Sequence, residues 1–229
     1  GKDLLGQTEM VKALIAAKAD VNATGHLDRG DERTSLHIAA ACGDNHVDVV
    51  RVLLAAGALM NAVDNETGQT PLHHACESGQ KADEVVTALL AAGADVNQGS
   101  IERDDVHDWT PLHSAAYAGK SSIIGILVAS GARIHAADCQ GHTALTAASE
   151  QNHPAAISKL LAAGLGVNEC TPDGRSPAFV AAYHGNVEAL TALVAAGANV
   201  NLTTENGHTA LYASSQNGHL ACVSRLLGA

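Results

Sequence analysis

Histidine and cysteine are the residue types in this sequence that most readily do chemistry. The chain has 13 histidines and 5 cysteines among 229 residues. Both types bind metals, and histidine is also the usual acid–base group near neutral pH. No His-Glu-x-x-His run, Gly-x-Ser-x-Gly elbow or glycine-rich phosphate loop is present. The sequence therefore predicts no catalytic residue, no metal site and no cofactor, and we expect a protein that is not an enzyme.

The cysteines indicate a reducing compartment. They are scattered along the chain and no two have the short spacing of a zinc or redox site: Cys42, Cys76, Cys139, Cys170 and Cys222. An odd number of such cysteines favours free thiols that are buried or half-buried. We expect an intracellular protein, in the cytoplasm or the nucleus.

Charge and composition exclude several classes of partner. Lys and Arg number 13 against 24 Asp and Glu, a formal net charge of −11. Nucleic acids and acidic membranes attract basic surfaces, so neither is an expected partner. No run approaches the ~18 apolar residues of a membrane span, so direct membrane insertion is not expected. Apolar residues make up 46% of the chain but aromatic residues only 2%, which predicts thin alanine–leucine layers.

The elements that position these residues follow from an internal repeat. A Thr-x-Leu-His motif begins at Thr34, Thr70 and Thr110, and weaker copies begin at Thr143, Ser176 and Thr209. Successive copies are separated by 36, 40, 33, 33 and 33 residues. Each complete copy continues through a small-residue run and an amphipathic segment to an Ala-Gly-Ala or similar ending.

This pattern resembles the ankyrin repeat, a unit of ~33 residues with a β-turn, two helices and a Thr-Pro-Leu-His-x-Ala signature. The resemblance implies an all-α fold: an α-solenoid of helix-turn-helix units with short β-hairpin fingers, whose right-angled, L-shaped repeats stack in an elongated curved array. It extends over one domain, residues 1–229. The predicted units are 1–23 (partial), 24–62, 63–98, 99–136, 137–169, 170–202 and 203–229 (partial).

Local sequence agrees with short paired helices. The motif Thr is a fitting N-cap, and Pro71 and Pro111 fall in the first helical turn, where a missing N–H costs nothing. Helices shorter than ~12 residues are marginal alone, so each must stack on its neighbours. The resemblance implies that the motif histidines His37, His73 and His113 brace neighbouring fingers through hydrogen bonds.

Both ends of the array are expected to be incomplete. By alignment with Gly185, Gly6 would end a first helix, which leaves the second helix at Thr8–Ala17. In the last unit, Leu220 and Leu227 resemble residues of an internal interface and not the polar face of a terminal cap. We interpret the sequence as a piece of a longer protein.

Aromatic residues give the main partner-binding prediction. Phe179 and Tyr212 replace the motif histidine and are predicted to be structural. Trp109, Tyr117 and Tyr183 lie outside the packing positions and are predicted to be exposed. The resemblance places them on a finger and in the concave groove. Rings are favoured anchors of interfaces, although each would also fit simple packing on a neighbouring finger. The polar residues at matching groove positions are Arg33, His74, Glu77, His142, Glu150, Arg175, His184 and His208.

Two long fingers concentrate acidic residues. The finger Thr24–Arg33 contains Asp28, Asp31 and Glu32, and the finger Gly99–Asp108 contains Glu102, Asp104, Asp105 and Asp108. One interpretation is solvated turns. The other is a rim that attracts a basic peptide. Their spacing matches no calcium loop.

The resemblance implies a protein-interaction scaffold that binds a protein or peptide partner along its concave groove and fingers, without catalysis. If the acidic fingers attract this partner, it is basic. The alternative is a targeting, substrate-recognition or regulatory domain of a larger enzyme or channel, such as a ubiquitin-ligase adaptor, a kinase or an ion channel. Family resemblance further implies Asn22 and Asn97 as sites of asparaginyl hydroxylation.

Overall fold

Short helices make up most of the protein. A computed structural model describes residues 4–26, 32–100 and 108–229. In this part of the chain the α-helices are α1 (Leu4–Ala16), α2 (Ser35–Ala41), α3 (Val47–Ala55), α4 (Pro71–Glu77), α5 (Asp83–Ala91), α6 (Pro111–Tyr117), α7 (Ser121–Ala129), α8 (Ala144–Glu150), α9 (Pro154–Ala162), α10 (Pro177–His184), α11 (Val187–Ala195), α12 (Ala210–Gln216) and α13 (Leu220–Leu227). Two strands, β1 (Thr24–His26) and β2 (Glu32–Thr34), and a 3-10 helix (Gly43–His46) complete the elements.

The chain divides into two compact units. The N-terminal block comprises residues 1–111 and 129–132, and the C-terminal block comprises residues 112–128 and 133–229. In the N-terminal block α2 packs on α4, and α3 packs on α5. In the C-terminal block α10 packs between α8 and α12, and α11 packs on both α9 and α13. Like helices of successive units therefore stack within each block, as in an α-solenoid.

Small apolar side chains fill the layers between the helices. The second helices α3, α5, α7, α9 and α11 bury the same three positions, such as Val85, Val86 and Leu89 in α5 and Ala189, Leu190 and Leu193 in α11. Of the five aromatic residues, all of which lie in the described part of the chain, only Phe179 is buried. Closely spaced helices with alanine at their contacts leave little room for rings.

The motif histidines join neighbouring units, as predicted. The Thr34 backbone N–H donates to His37 Nδ1 at 3.2 Å, so the other ring nitrogen carries the hydrogen. His37 Nε2 lies 3.2 Å from the carbonyl of Gln69 in the next unit, and 3.0 Å from that of Ala62. The equivalent atom of His73 lies 2.9 Å from the carbonyl of Trp109. His37 and His73 therefore cap their own helices and also bond the following finger. His113 Nε2 lies 3.1 Å from the carbonyl of His142 on the finger that follows it.

Paired strands are less common than the predicted hairpin fingers. Among the described residues, the only sheet is the antiparallel pair β1–β2, in which Thr24 faces Thr34 and His26 faces Glu32. One isolated bridge joins Ala137 and Thr143. Tight turns form the other described fingers, because five or six residues are too few for a ladder.

The N-terminal end also differs from its prediction. Helix α1 continues through Gly6, so this glycine does not end a first helix. At the other end, Leu220 and Leu227 are exposed on α13, as the sequence suggested. None of the helices in the described residues combines the length and apolarity that crossing a membrane requires.

A glycine at the end of α10 permits a close approach between units. Gly185 has φ = 76°, in the left-handed region, and a Cβ there would lie 2.6 Å from Nδ1 of His219. A side chain at residue 185 would therefore be strained and would also displace the imidazole. His219 uses this space to bond the carbonyl of Tyr183 from the next unit, at 3.0 Å.

The cysteines are all free thiols, but their burial varies. Cys76 and Cys222 are buried and Cys42 is half-buried, as expected. Burial raises the pKa of the Cys76 thiol well above its usual range. Cys139 and Cys170 are exposed, so the prediction of burial is wrong for these two. Both lie on finger turns, where no helix packs over them.

Candidate functional site

A cavity of about 300 Å³ opens in the C-terminal block between first helices and fingers. Its walls come from α8, α10 and the three fingers that precede α8, α10 and α12. Three consecutive predicted units (137–169, 170–202 and 203–229) therefore build it together. The structure brings six of the predicted groove residues to this cavity: His142, Glu150, Arg175, Tyr183, His184 and His208.

Repeat geometry explains why these residues converge. His142, Arg175 and His208 each directly precede the first residue of a motif, so each stands at the same place on its own finger. Glu150 and Tyr183 lie near the C-terminal ends of α8 and α10. Like helices stack in register, so equivalent positions form one continuous wall.

An aromatic wall runs along α10. The rings of Phe179 and Tyr183 are stacked, with centroids 6.3 Å apart and planes at 18°. The imidazole of His184 meets Tyr183 edge-on at 5.1 Å. Tyr183 remains 48% exposed, and hydrogen bonds from Asn217 and His219 hold its backbone carbonyl. The ring is therefore positioned from behind and presents a face to the cavity.

Two ion pairs border the cavity. Arg175 Nε lies 2.7 Å from Asp173 Oδ2. Burial alone would raise the pKa of Asp173, but the Thr171 hydroxyl and the Arg175 guanidinium together lower it. His142 Nδ1 lies 3.2 Å from Asp138 Oδ2, and this hydrogen bond raises the pKa of His142 although burial opposes it. Arg175 and Asp173 neutralise each other, whereas His142 neutralises Asp138 when the imidazole is protonated.

The predicted groove residues of the N-terminal block form an internal cluster instead. Asp64, whose carboxylate is fully buried, lies 2.7 Å from Nε2 of His74 and 3.7 Å from Nε of Arg33. Burial would raise the pKa of Asp64, but the hydrogen bonds from His74 and Thr67 lower it far below its ordinary value. His74 is buried, and its imidazole bonds this buried carboxylate. Its role as a partner contact stays a prediction.

Residues next to this cluster also have contacts within the protein. Burial and, to a smaller extent, the adjacent His74 lower the pKa of His37 to about 4. The two imidazoles meet edge-on at 5.5 Å. Glu77 accepts a hydrogen bond from the Gln69 side chain at 2.8 Å, and Arg33 also lies 3.6 Å from a carboxylate oxygen of Glu66. Among the predicted groove residues in this block, Arg33 is therefore held by the finger of the next unit and Glu77 by the finger of its own unit.

Sequence reasoning missed the residues at the base of each finger. Asp64, Ser100, Asp138, Thr171 and Thr204 each donate a backbone hydrogen bond to the residue just before the motif. Four of the five are buried. The available signal was the recurrence of Asp, Ser or Thr five or six residues before most copies of the motif.

The remaining rings do not line the cavity. Trp109 is half-buried, which corrects its prediction as an exposed ring, and its carbonyl accepts the bond from His73. Tyr117 is exposed, as predicted. Tyr212 was predicted to be structural but is exposed, and it stacks on His208 with centroids 4.1 Å apart.

The structure describes two of the seven acidic finger residues. Asp28, Asp31, Glu102, Asp104 and Asp105 lie outside the described residues. Glu32 and Asp108 are exposed. A rim that attracts basic partners therefore stays a prediction.

The two predicted hydroxylation sites connect neighbouring units. Asn22 Nδ2 donates to the carbonyl of Gly57 at 3.3 Å, and Asn97 Nδ2 donates to that of Gly131 at 3.2 Å. Their hydroxylation stays a prediction. In the described ranges, no three His, Cys, Asp or Glu side chains are grouped so that they would hold a metal ion.

Comparison with known proteins identifies one family. The family model described as ankyrin repeats (3 copies) matches residues 4–100, 98–169 and 151–229. These overlapping matches cover nearly the whole chain. No curated protein sequence matches it.

Proposed function

Because this chain belongs to the ankyrin-repeat family, we propose that it is a non-catalytic scaffold that binds a protein or peptide through the cavity of its C-terminal block. Proteins of this family are generally protein-interaction modules. The proposal locates binding at fingers and first helices of units 137–169, 170–202 and 203–229. We further propose that it acts inside the cell, in the cytoplasm or the nucleus, since its cysteines are unpaired.

The observation that carries this proposal is the cavity itself. Its lining combines an exposed aromatic face with hydrogen-bonding groups from three successive units. Interface anchors are typically tyrosine, tryptophan or arginine side chains surrounded by polar groups. Tyr183 has that setting, because Phe179 stacks on it and its backbone is fixed, while nearly half of its surface is left for a partner.

The N-terminal block supports the same location by contrast. His74, Arg33 and Glu77 are taken up by contacts with Asp64, Glu66 and Gln69. A partner that used these side chains would have to break a buried network. The C-terminal cavity offers comparable residue types at lower cost, because its Asp173–Arg175 pair is half exposed and the His142 imidazole is partly exposed.

Quantitative affinity capture tests the proposal. The immobilised protein is incubated with an isotope-labelled lysate, alongside the variants Tyr183→Ala and Thr191→Ala. Thr191 is exposed on α11, which contributes nothing to the cavity, so its substitution controls for nonspecific changes. We expect a set of proteins that wild type and Thr191→Ala retain and that Tyr183→Ala loses by about tenfold or more.

A third variant measures how far the contact surface extends. Tyr117 is also an exposed tyrosine of the C-terminal block, but it does not line the cavity. Loss of the same proteins from Tyr117→Ala would extend the surface to α6, as the aromatic pattern of the sequence predicts. An unchanged set of captured proteins on Tyr183→Ala would contradict binding at the cavity.

A further inference from the structure

We propose that the cavity of the C-terminal block accepts an arginine side chain of the partner. This inference rests on the proposed function, since it specifies what the same cavity recognises. The guanidinium would lie on the ring of Tyr183, between the carboxylates of Glu150 and Glu205. Three features support it: the charge left over at the walls, the aromatic face and the size of the cavity.

Charge is the first feature. Asp173 and Arg175 neutralise each other at 2.7 Å, and His142 lies against Asp138 at 3.2 Å. Glu150 and Glu205 also line the cavity, and neither carboxylate has an ion-pair or hydrogen-bond partner within the described part of the chain. The walls therefore carry two carboxylates outside any ion pair, of which Glu150 also acts through its charge on His142 and helps to raise the pKa of that imidazole. A cation that enters would gain both interactions without separating an existing pair.

The second feature is the aromatic face of Tyr183. A guanidinium is planar and stacks on aromatic rings, whereas an ammonium is a compact, strongly hydrated charge. Tyr183 is nearly half exposed and stacks on Phe179, whose plane is within 18° of its own, while His184 meets it edge-on. Ring contact together with two carboxylates matches arginine better than lysine, because only arginine presents a flat donor array.

Size is the third feature. A volume of about 300 Å³ lies at the lower end of the range for small-molecule sites. This space suits one long side chain better than a cofactor. The opening lies between fingers of successive units, so the backbone of an extended partner would run along the fingers while one side chain enters.

Small peptides test the preference directly. Acetyl-Ala-Arg-Ala-amide is titrated into the ¹⁵N-labelled protein and amide shifts are followed by NMR. The comparison peptides replace arginine by citrulline, which keeps the shape without the charge, by lysine and by glutamate. We expect the arginine peptide to shift the amides of Tyr183, Glu205 and His208 at low millimolar concentration. Citrulline should bind about tenfold more weakly, and lysine several-fold more weakly.

Charge-neutral variants assign the effect to the carboxylates. Glu150→Gln with Glu205→Gln should weaken the arginine peptide by about tenfold and leave citrulline unchanged. Glu188→Gln is the matched control: it removes the same charge from an exposed position on α11, outside the cavity, and should change binding less than twofold. Higher salt should reduce the difference between the arginine and citrulline peptides.

Four outcomes would overturn the inference: citrulline or glutamate binding as tightly as arginine, lysine binding as tightly as arginine, binding insensitive to the double Glu→Gln change, or Glu188→Gln weakening binding equally. Failure here is distinguishable from failure of the proposed function. If Tyr183→Ala releases the captured proteins but the arginine peptide neither binds nor competes with them, the scaffold role stands and the arginine preference is wrong.

Discussion

The two blocks use similar side chains for different ends. In the N-terminal block, Asp64 lies at the base of a finger and holds His74 and Arg33 in a buried cluster. In the C-terminal block, Asp138 at the base of its finger holds His142, yet that imidazole is partly exposed and borders an open cavity. The same chemistry stabilises one block and leaves a binding surface on the other. Burial, more than residue type, decides which role a polar cluster takes.

The finger at Asp64 is one residue longer than the fingers that line the cavity. Asp64 donates its backbone N–H to Gln69, five residues on, whereas Asp138, Thr171 and Thr204 donate to a residue four positions on. In these shorter fingers the acceptor is His142, Arg175 or His208, and each lines the cavity. In the longer finger the acceptor is Gln69, whose side chain donates a hydrogen bond to Glu77.

Removal of the buried charge should give the largest effect. Asp64→Asn leaves His74 and Arg33 without their carboxylate, and loss of one member of a buried pair costs about 3 kcal/mol. Trp109, the single tryptophan, belongs to the N-terminal block, so its fluorescence during urea unfolding reports that loss. Asp48→Asn removes a carboxylate that pairs with exposed Arg51 and should change the free energy by less than about 0.5 kcal/mol. Equal losses would refute the distinction between the two clusters.

Acidification should also affect the two blocks with opposite sign. Burial lowers the pKa of His37 to about 4, so between pH 6.5 and 4 the unfolded chain binds a proton that the folded chain does not. From pH 7 to 5 this removes about 2 kcal/mol of stability. The change should be absent in His37→Gln when urea unfolding is measured at both pH values.

His142 provides the opposite case. Its pKa is raised in the folded state, so its contribution is present below the unfolded pKa and is lost as pH rises through the folded value. His142→Gln should therefore steepen the loss of stability on acidification, whereas His37→Gln makes it shallower. Parallel pH dependence in the two variants would show that these imidazoles do not differ as described.

Reciprocal substitutions separate binding from stability. Tyr183→Ala should weaken a purified partner by at least tenfold, about 1.4 kcal/mol, and lower the free energy of unfolding by less than 1 kcal/mol. His74→Ala should do the reverse, because its imidazole is buried against Asp64. Calorimetric titration and urea unfolding of both variants provide the measurement. Loss of partner affinity in His74→Ala without unfolding would extend the binding surface into the N-terminal block.

The smallest expected effect concerns the ring pair at the edge of the cavity. His208 and Tyr212 stack at 4.1 Å with planes at 15°. A double-mutant cycle with His208→Ala and Tyr212→Ala should give a coupling of about 0.5–1 kcal/mol in stability. A coupling near zero would mean that Tyr212 positions nothing and is free to contact a partner itself.

Most of the fold could be predicted from the sequence because each unit repeats the same local signals. The motif Thr, the following apolar positions and the closing glycine set helix boundaries in every unit, so α2, α4 and α6 begin where their motifs do. Helix α1 was misjudged at Gly6, because a glycine inside a helix looks like a helix end when read by alignment alone. Hairpin strands were overestimated, since a finger resembles a hairpin in pattern whether or not its length permits a ladder.

The candidate site could be predicted only in part, for a physical reason. Repeat position specifies that His142, Arg175 and His208 face the same wall, and the structure places them together. Repeat position does not specify whether another residue of the protein already bonds a given side chain. His74 has a groove position as well, but Asp64 lies within 2.7 Å of it, and that contact depends on the burial of a residue ten positions earlier. Such internal contacts depend on tertiary packing. They do not recur with the repeat, so the repeat pattern cannot predict them.

The two exposed thiols are attachment sites for a fluorescent dye. Cys139 and Cys170 lie on the fingers that carry His142 and Arg175, whereas Cys76 and Cys222 are buried. Once half-buried Cys42 is replaced by serine, an environment-sensitive dye should attach at these two finger positions under native conditions. Its emission would then change when a ligand enters, so the occupancy of the cavity becomes readable as fluorescence without any residue having been added.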